Sequence, residues 1–253
     1  MFWSVLRALL WTDPLIAILT VLMGSVSLLA SVVDGTGRAQ HRIARRWARM
    51  VLAVGGIKVK VTGLENLVCG ATYVFCSNHL SLIDTPVVFG YLPWEFRALA
   101  KKNLFHIPFL GWHLRRAGHL PVAKEDVRAS VRNIADAARR VSQGVSIVVF
   151  PEGGRTVDGT LGEFRAGAAY IAIKAGVPTA PMCILGTREV LPVGSIIVRP
   201  GSVELRVGTP LSTTGMSSRD AGRLLNELRR EICQLISKQP GPRGEVLSTG
   251  VMS

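Results

Sequence analysis

The chain has 253 residues, of which 48% are hydrophobic and 6% aromatic, and its formal net charge is +13. This length supports a full hydrophobic core and favours one α/β domain with an appendage. The charge predicts an anionic partner; without zinc-finger spacings or RNA-recognition aromatics, we expect a phospholipid or a phosphorylated substrate and no nucleic acid. Four cysteines without a CxxC spacing exclude a disulfide-rich scaffold and indicate a reducing compartment.

The N-terminal region has the composition of a membrane anchor. Residues 14–33 contain no charged side chain, and a helix of this length just crosses the hydrocarbon core of a bilayer. Trp3 and Trp11 precede it, as interfacial anchors do. Residues 38–51 combine arginines with apolar residues at helical intervals, which predicts a basic amphipathic helix suited to anionic headgroups. We therefore expect residues 1–55 to attach the protein to an anionic phospholipid membrane.

Three arrangements of this anchor are compatible with the sequence. A cleaved signal peptide fits the apolar run, but Arg7 is the only basic residue that precedes this run, and the arginines that follow it would resist export. A single membrane span and a helical hairpin within one leaflet fit equally well. In both of these, the arginines favour a cytoplasmic position for the rest of the chain.

From residue 56 onward, short β-rich runs alternate with helical patterns. Residues 57–62 alternate between apolar and polar side chains, which predicts a strand with one buried face, and the apolar residues 145–150 predict a strand buried on both faces. Further strands are predicted at 71–76, 96–100, 179–185 and 203–207, and helices at 85–91, 125–143, 164–174 and 217–238. The fold class is therefore α/β, with a mostly parallel central sheet covered by helices over residues 56–238 and a flexible tail at 239–253.

A histidine and an aspartate follow the second predicted strand in the sequence Asn78-His79-x4-Asp84. A neutral imidazole can take a proton from a hydroxyl when a carboxylate holds its other ring nitrogen. A turn between strand and helix would let Asp84 fold back onto His79. Taken alone, however, this spacing favours a helix cap at Ser81 or Asp84 beside a solvated histidine.

A second motif, Phe150-Pro151-Glu152-Gly153-Gly154-Arg155-Thr156, follows the strand predicted at 145–150. Open α/β sheets place their sites at the carboxyl ends of strands. Glycines let backbone N–H groups approach an anion, and arginine offers a planar fork for phosphate. A Pro-Gly turn with a surface Glu–Arg pair explains the same residues about equally well.

The segment between the two motifs is rich in basic and apolar residues. His106, His113 and His119 lie within it, but residues 96–124 contain no acidic side chain, so we expect no metal site. The apolar residues within 107–112 are compatible with bilayer contact, with an acyl groove or with packing against the sheet.

Together the motifs resemble the glycerophosphate acyltransferase superfamily, most closely the 1-acylglycerol-3-phosphate acyltransferases. The family block N-H-x4-D matches Asn78, His79 and Asp84, and the block F-P-E-G-T-R-S matches residues 150–156 with two substitutions. The remaining blocks are matched, in the family's order, by Lys101, Lys102, Pro108 and Gly111, and then by Val177, Pro178 and Pro181. One departure is Ala123-Lys124 where the family usually has Asp-Arg, so a lysine that lacks the bidentate fork replaces an arginine.

The resemblance implies that a fatty acyl group moves from acyl-CoA or acyl-carrier protein to the sn-2 hydroxyl of 1-acylglycerol 3-phosphate, giving phosphatidic acid without a further cofactor. It implies His79 as general base, oriented by Asp84. One of the adjacent Lys101 and Lys102 would stabilise the oxyanion, because neighbouring strand residues point to opposite faces. In the implied acceptor site, Gly153, Arg155 and Lys124 would hold the phosphate, and Glu152 would support that pocket.

Three other functions remain compatible with the sequence. The acceptor could be another lyso-lipid, such as a lyso-aminolipid, or glycerol 3-phosphate, which the altered Lys124 position leaves open. A thioesterase would use water as the acceptor, but the Glu152-Gly153-x-Arg155 segment favours an acceptor pocket. A non-catalytic lipid-binding protein would need neither His79 nor Asp84.

Overall fold

The computed structural model describes residues 2–122, 127–156 and 158–238, and within these residues seven strands form one sheet. The strands are β1 Ile57–Thr62, β2 Val74–Ser77, β3 Phe96–Lys101, β4 Leu120–Val122, β5 Ser146–Val149, β6 Thr179–Leu185 and β7 Gly201–Val207. Their order is β1-β7-β6-β2-β5-β3-β4, and in this sheet every pairing except that of β6 with β7 is parallel. The prediction of a mostly parallel α/β sheet is confirmed. The expected tail at 239–253 and Lys124 lie outside the described residues.

Helices cover both faces of the sheet. Their bounds are α1 Phe2–Arg7, α2 Asp13–Val33, α3 Arg38–Gly55, α4 Asp84–Tyr91, α5 Leu110–Arg116, α6 Val127–Ser142, α7 Gly167–Ala175, α8 Thr187–Val190 and α9 Ala221–Ser237. Helices α3 and α4 pack on one face in a core that includes Phe75 and Val148. Helices α6, α7 and α9 pack on the other face, in a core that includes Val74 and Ile147.

The central strands β2 and β5 are short, and all their residues are buried. Consecutive side chains of a strand point to opposite faces, so Phe75 joins the core under α3 and α4 while Val74 joins the other core. Apolar residues on both faces are what a parallel strand between two helical layers requires. The register of β2 on β5, with Phe75 opposite Val148, brings the carboxyl ends of both strands to the same edge of the sheet.

The N-terminal helices form one nearly continuous rod. A π-helical turn at Ala8–Thr12 joins α1 to α2. Within the described chain, one helix, Val5–Val33, is long and apolar enough to cross a membrane, with a mean hydropathy of 2.4 and only 17% of its most apolar 18-residue window buried. This helix suggests that the protein associates with a membrane.

Helix α3 turns back along α2 after a short corner. The hydroxyl and N–H of Thr36 and the N–H of Ala39 donate to the carboxylate of Asp34 and hold its pKa at about 2. Gly37 has φ of 82°, and a Cβ there would approach the carbonyl oxygen of Ala117 to 2.9 Å. The corner therefore needs glycine, and it places α3 between α2 and the sheet, where Ala48 and Leu52 join the core.

Candidate active site

The carboxyl ends of β2, β5 and β6 converge at one edge of the sheet, and the two sequence motifs meet there. Residues 78–83 connect β2 to α4, and residues 150–166 connect β5 to α7. Gly186 and Thr187 follow β6, the neighbour of β2 on its other side. Three strand ends that are far apart in sequence thus supply one site.

Asp84 is the organising residue of this site. It begins α4 and is completely buried. Its Oδ2 accepts hydrogen bonds from the Nδ1 of His79 at 2.8 Å and from the backbone N–H groups of Leu80 and Ser81, and its Oδ1 accepts one from the hydroxyl of Thr187 at 2.5 Å. Four donors around one carboxyl group suit its ionised form, which only accepts hydrogen bonds.

The same contact fixes the tautomer of His79. Because Asp84 accepts, the hydrogen of the neutral imidazole lies on Nδ1, and the lone pair lies on Nε2. Among the described residues, none hydrogen-bonds to Nε2, and 18% of the side chain is exposed. The ring of Phe150 stacks on the imidazole, with centroids 4.2 Å apart and planes inclined by 19°. The arrangement presents a basic nitrogen with restricted orientation at the edge of the sheet, as a proton acceptor requires.

Asn78 fixes the loop that carries His79. Its side-chain amide donates to the carbonyl oxygen of Ile184 at 2.9 Å and accepts from the N–H of the same residue at 2.8 Å, which ties the end of β2 to β6. The hydroxyl of Ser81 donates to the carbonyl oxygen of Leu191. These buried polar groups are satisfied, so the loop is held from both sides.

Glu152 connects the two motifs through their backbones. Its Oε1 accepts from the N–H of His79 and its Oε2 from the N–H of Gly162, each at 2.8 Å. Burial raises the pKa of Glu152, and these two hydrogen bonds oppose the rise. Sequence reasoning grouped this residue with the acceptor site; in the structure both carboxylate oxygens hold protein backbone.

The remaining residues of the second motif lie in a tight turn after β5. Gly153 has φ of 67° and donates its N–H to the carbonyl oxygen of Phe150. The side chain of Arg155 is partly exposed next to it. The hydroxyl of Thr156 is buried without a hydrogen-bond partner among the described residues. A partly exposed guanidinium and a glycine turn at a strand end are groups that can bind phosphate.

Lys101 and Lys102 lie at the same edge but do not touch the histidine–aspartate pair. Lys101 ends β3, Lys102 begins the short helix that follows, and both side chains are exposed. In the register of the sheet, Ala98 pairs with Val148, and Val148 pairs with Phe75. Three residues further along, Lys101 is therefore level with Asn78 two strands away, and the usual strand spacing puts their backbones about 10 Å apart. The structure thus brings His79, Asp84 and Glu152 together, and it places the two lysines across the edge from them.

Sequence reasoning missed Thr187 and the stacking role of Phe150. Thr187 is fully buried and contacts Asp84 although 103 positions separate them in the chain. The only signal in the sequence was a Gly-Thr pair directly after a predicted strand. That signal gains meaning once β6 is known to lie beside β2.

Comparison with known proteins shows the family to which this chain belongs. Residues 58–185 match the protein family described as Acyltransferase, and this range includes every strand end of the site. The chain belongs to the acyltransferase family. Among solved structures, the 1-acyl-sn-glycerophosphate acyltransferase of Thermotoga maritima superposes with a TM-score of 0.76 at 27% identity, covering 94% of this chain and 99% of that one.

Curated relatives of this family member carry the name 1-acyl-sn-glycerol-3-phosphate acyltransferase. The chloroplastic protein of Arabidopsis thaliana is 33% identical over 196 residues, which is 77% of this chain and 53% of the relative. The Pseudomonas aeruginosa protein is 25% identical over 224 residues, covering 83% of this chain and 86% of the relative. The chain spans about half the length of the chloroplastic relatives that it matches.

Proposed function

We propose that this protein transfers a fatty acyl group from acyl-CoA or acyl-carrier protein to the sn-2 hydroxyl of 1-acylglycerol 3-phosphate, giving phosphatidic acid. The observation that carries the proposal is the hydrogen bond between His79 and the buried Asp84 at the carboxyl edge of the sheet. The names of the relatives, which include a structural neighbour of matching length, support this acceptor.

In this mechanism Nε2 of His79 takes the proton of the acceptor hydroxyl while Asp84 stabilises the imidazolium that forms. The oxygen attacks the thioester carbonyl, and the tetrahedral intermediate collapses with cleavage of the C–S bond. The departing thiolate then recovers the proton from His79. The cation that stabilises the oxyanion is Lys101 or Lys102, since Lys101 is the last residue of β3, level with Asn78, and Lys102 follows it directly.

Direct transfer without an acyl-enzyme is favoured by the state of the neighbouring nucleophiles. Cys76 is completely buried, and burial raises the pKa of its thiol, so a reactive thiolate is disfavoured. The hydroxyls of Ser77 and Ser81 are buried and donate to Asn78 and to the carbonyl of Leu191. None of these groups is both accessible and activated.

The acceptor phosphate is assigned to Gly153, Arg155 and Lys124, with Glu152 ordering the loop that carries the first two. Arg155 is the only one of the two cations whose surroundings are described, and its partial exposure beside Gly153 supports the assignment. Because Lys124 stands where the resemblance predicts arginine, the acceptor panel in the test below includes other headgroups.

The N-terminal region, residues 1–55, is proposed as the membrane anchor of a catalytic unit at residues 56–238 on the cytoplasmic side. Helix α2 packs against both α3 and α5, and the hydroxyl of Ser27 lies 2.7 Å from Nδ1 of His113. A helix that spans a bilayer has lipid or other spanning segments beside it. Contacts with α5 therefore favour a rod that lies in one leaflet over one that crosses.

The test is an acyl-transfer assay on the full chain in detergent. A labelled acyl thioester of coenzyme A or of acyl-carrier protein is offered with 1-acylglycerol 3-phosphate, glycerol 3-phosphate or a lyso-aminolipid. Formation of phosphatidic acid by the wild type, its loss in His79→Ala and Asp84→Ala, and its retention in the exposed control His106→Ala are expected. Transfer only to another acceptor would keep the mechanism and change the assigned acceptor headgroup. Full activity of His79→Ala would refute the mechanism.

A further inference from the structure

The segment that runs from the end of β3 into the first turn of α5 exposes apolar side chains beside the catalytic edge. Phe109 is 49% exposed and Trp112 is 50% exposed, and their rings meet edge-on with centroids 5.3 Å apart. Ile107 and Leu110 are exposed as well. Phe105, in the same segment, is buried, so the segment does send an apolar side chain into the protein while turning these four outward.

The turn that presents Phe109 is strained and braced. Phe109 has φ of 60° and ψ of −56°, and it is the one described residue other than glycine with positive φ. The N–H of Leu110 donates to the carbonyl oxygen of Pro108 across it, which closes a three-residue γ-turn that is rare in proteins. Strain of this kind persists where surrounding structure enforces it and often marks a functional site.

Gly111 enforces this turn. A Cβ at position 111 would lie 2.2 Å from the carbonyl oxygen of Phe105, so only glycine allows the chain to fold back onto the short helix before it. The N–H of Gly111 also donates to the carbonyl oxygen of Ile107 at 2.7 Å. The exposed aromatic side chain is therefore held on a fixed support.

Basic residues flank the apolar turn. Lys101 and Lys102 precede it, Arg115 and Arg116 end α5, and all four side chains are exposed. The described residues 96–122 contain no acidic side chain. An apolar tip between cations matches the surface of an anionic bilayer, whose headgroups attract the cations and whose acyl region accepts the aromatic rings.

The turn also adjoins the N-terminal rod. Helix α5 packs against α2, with Ser27 and His113 in contact. The other side of α2 exposes Leu29 and Val32. The two apolar surfaces thus belong to neighbouring elements that are packed together.

We propose that the turn formed by residues 107–112 inserts into the surface of an anionic bilayer as a second membrane contact beside the N-terminal rod. This inference rests on the membrane attachment in the proposed function and not on acyl transfer. The turn follows β3, whose carboxyl end lies at the same edge as His79, so its insertion holds the catalytic edge at the depth of lyso-lipid headgroups.

The experiment places a nitrobenzoxadiazole fluorophore on one accessible cysteine of the full chain. The test protein carries Phe109→Cys with Cys69→Ser and Cys233→Ser, leaving the two buried cysteines, Cys76 and Cys183, in place. The control keeps the native Cys69, which is exposed in the loop that leads to the opposite end of β2. Vesicles contain phosphatidylglycerol with phosphatidylcholine, or phosphatidylcholine alone, with and without nitroxide-labelled acyl chains.

At position 109 the emission should shift to the blue and be quenched by the acyl-chain nitroxides, more strongly in the anionic vesicles, while the label on Cys69 should show neither effect. Phe109→Asp should lower vesicle affinity about tenfold or more, because a carboxylate would replace the aromatic ring that enters the bilayer, whereas the exposed control Val68→Asp should not. Vesicle-bound protein with a solvent-like label at position 109 would overturn the proposal. So would a label that responds only to the acyl thioester in detergent, which would indicate an acyl groove. Repeating the measurement with His79→Ala separates this result from the fate of the acyl-transfer proposal.

Discussion

The hydroxyl of Thr187 donates a hydrogen bond to Oδ1 of Asp84 at 2.5 Å, and Oδ2 of the same carboxylate accepts one from Nδ1 of His79. Thr187 is completely buried at the start of α8. Gly186 before it has φ of 85°, and a Cβ there would approach the carbonyl oxygen of Ser202 to 2.3 Å. The turn after β6 therefore fixes the position of Thr187. Because Thr187 holds Asp84 and Asp84 holds His79, the turn also helps to orient the imidazole.

Thr187→Val should lower kcat by about 10- to 100-fold with little change in KM, because a hydrogen bond to a charged group contributes about 1.5–3 kcal/mol. Thr187→Ser keeps the hydroxyl and should recover most of the activity. Steady-state kinetics with a fixed acyl thioester measures both. Equal kcat in the valine variant and the wild type would show that Asp84 is positioned without Thr187.

Sequence reasoning paired His79 with Asp84 because the two residues are near in the chain. The His79–Asp84 contact is closed by one loop, and the strand and helix on either side of it were predictable from local pattern. Thr187 belongs to the same cluster but reaches it through the neighbouring strand β6. Local periodicity contains no information on which strands are adjacent, so this contact could not be predicted.

The role of Glu152 was hidden for a different reason. Its partners are the backbone N–H groups of His79 and Gly162, which every residue type other than proline has. Side-chain chemistry suggested an anion site, and only the structure shows that the carboxylate joins the loop after β2 to the loop after β5. Likewise, the reversed direction of β7 relative to β6 follows from the course of the connection between them and not from the strand pattern itself.

Glu152→Gln should reduce both stability and kcat. The amide has a single oxygen and keeps one of the two backbone contacts, leaving the other N–H facing an NH2 group, at a cost of about 1–3 kcal/mol for the unsatisfied donor. Urea unfolding and initial rates measure the two effects.

The matched control for this substitution is Glu163→Gln, one residue beyond Gly162, where the side chain is exposed. It should leave both quantities within experimental error. If Glu152→Gln changed only the KM for the acceptor, the carboxylate would be acting on substrate and not on the two backbone groups.

Arg155→Ala should raise the KM for the phosphorylated acceptor by about tenfold or more while leaving the KM for the acyl thioester close to that of the wild type. A charge-assisted contact with phosphate contributes about 1.5–3 kcal/mol. Arg155→Lys should have a KM for the acceptor between those of the wild type and Arg155→Ala, because lysine keeps the charge without the planar fork. Arg165→Ala, at an exposed position in the same loop, is the control. A loss confined to the thioester would assign Arg155 to the donor side.

His41 should make the folded state less stable as the pH falls from 6.5 to 4. Burial, with the nearby charge of Arg97, lowers its pKa to about 4, so in this window the unfolded chain binds a proton that the folded chain does not. The difference corresponds to roughly 3 kcal/mol at pH 4. His113 and His119 act in the same direction, because burial lowers the pKa of each.

His41→Gln, whose amide can still donate to the carbonyl oxygen of Trp94, should therefore remove only part of the slope of unfolding free energy against pH. Urea unfolding over this range measures it, and the exposed control His106→Gln should leave the slope unchanged. An unaltered slope in His41→Gln would mean that His41 is protonated as readily in the folded chain as in the unfolded one.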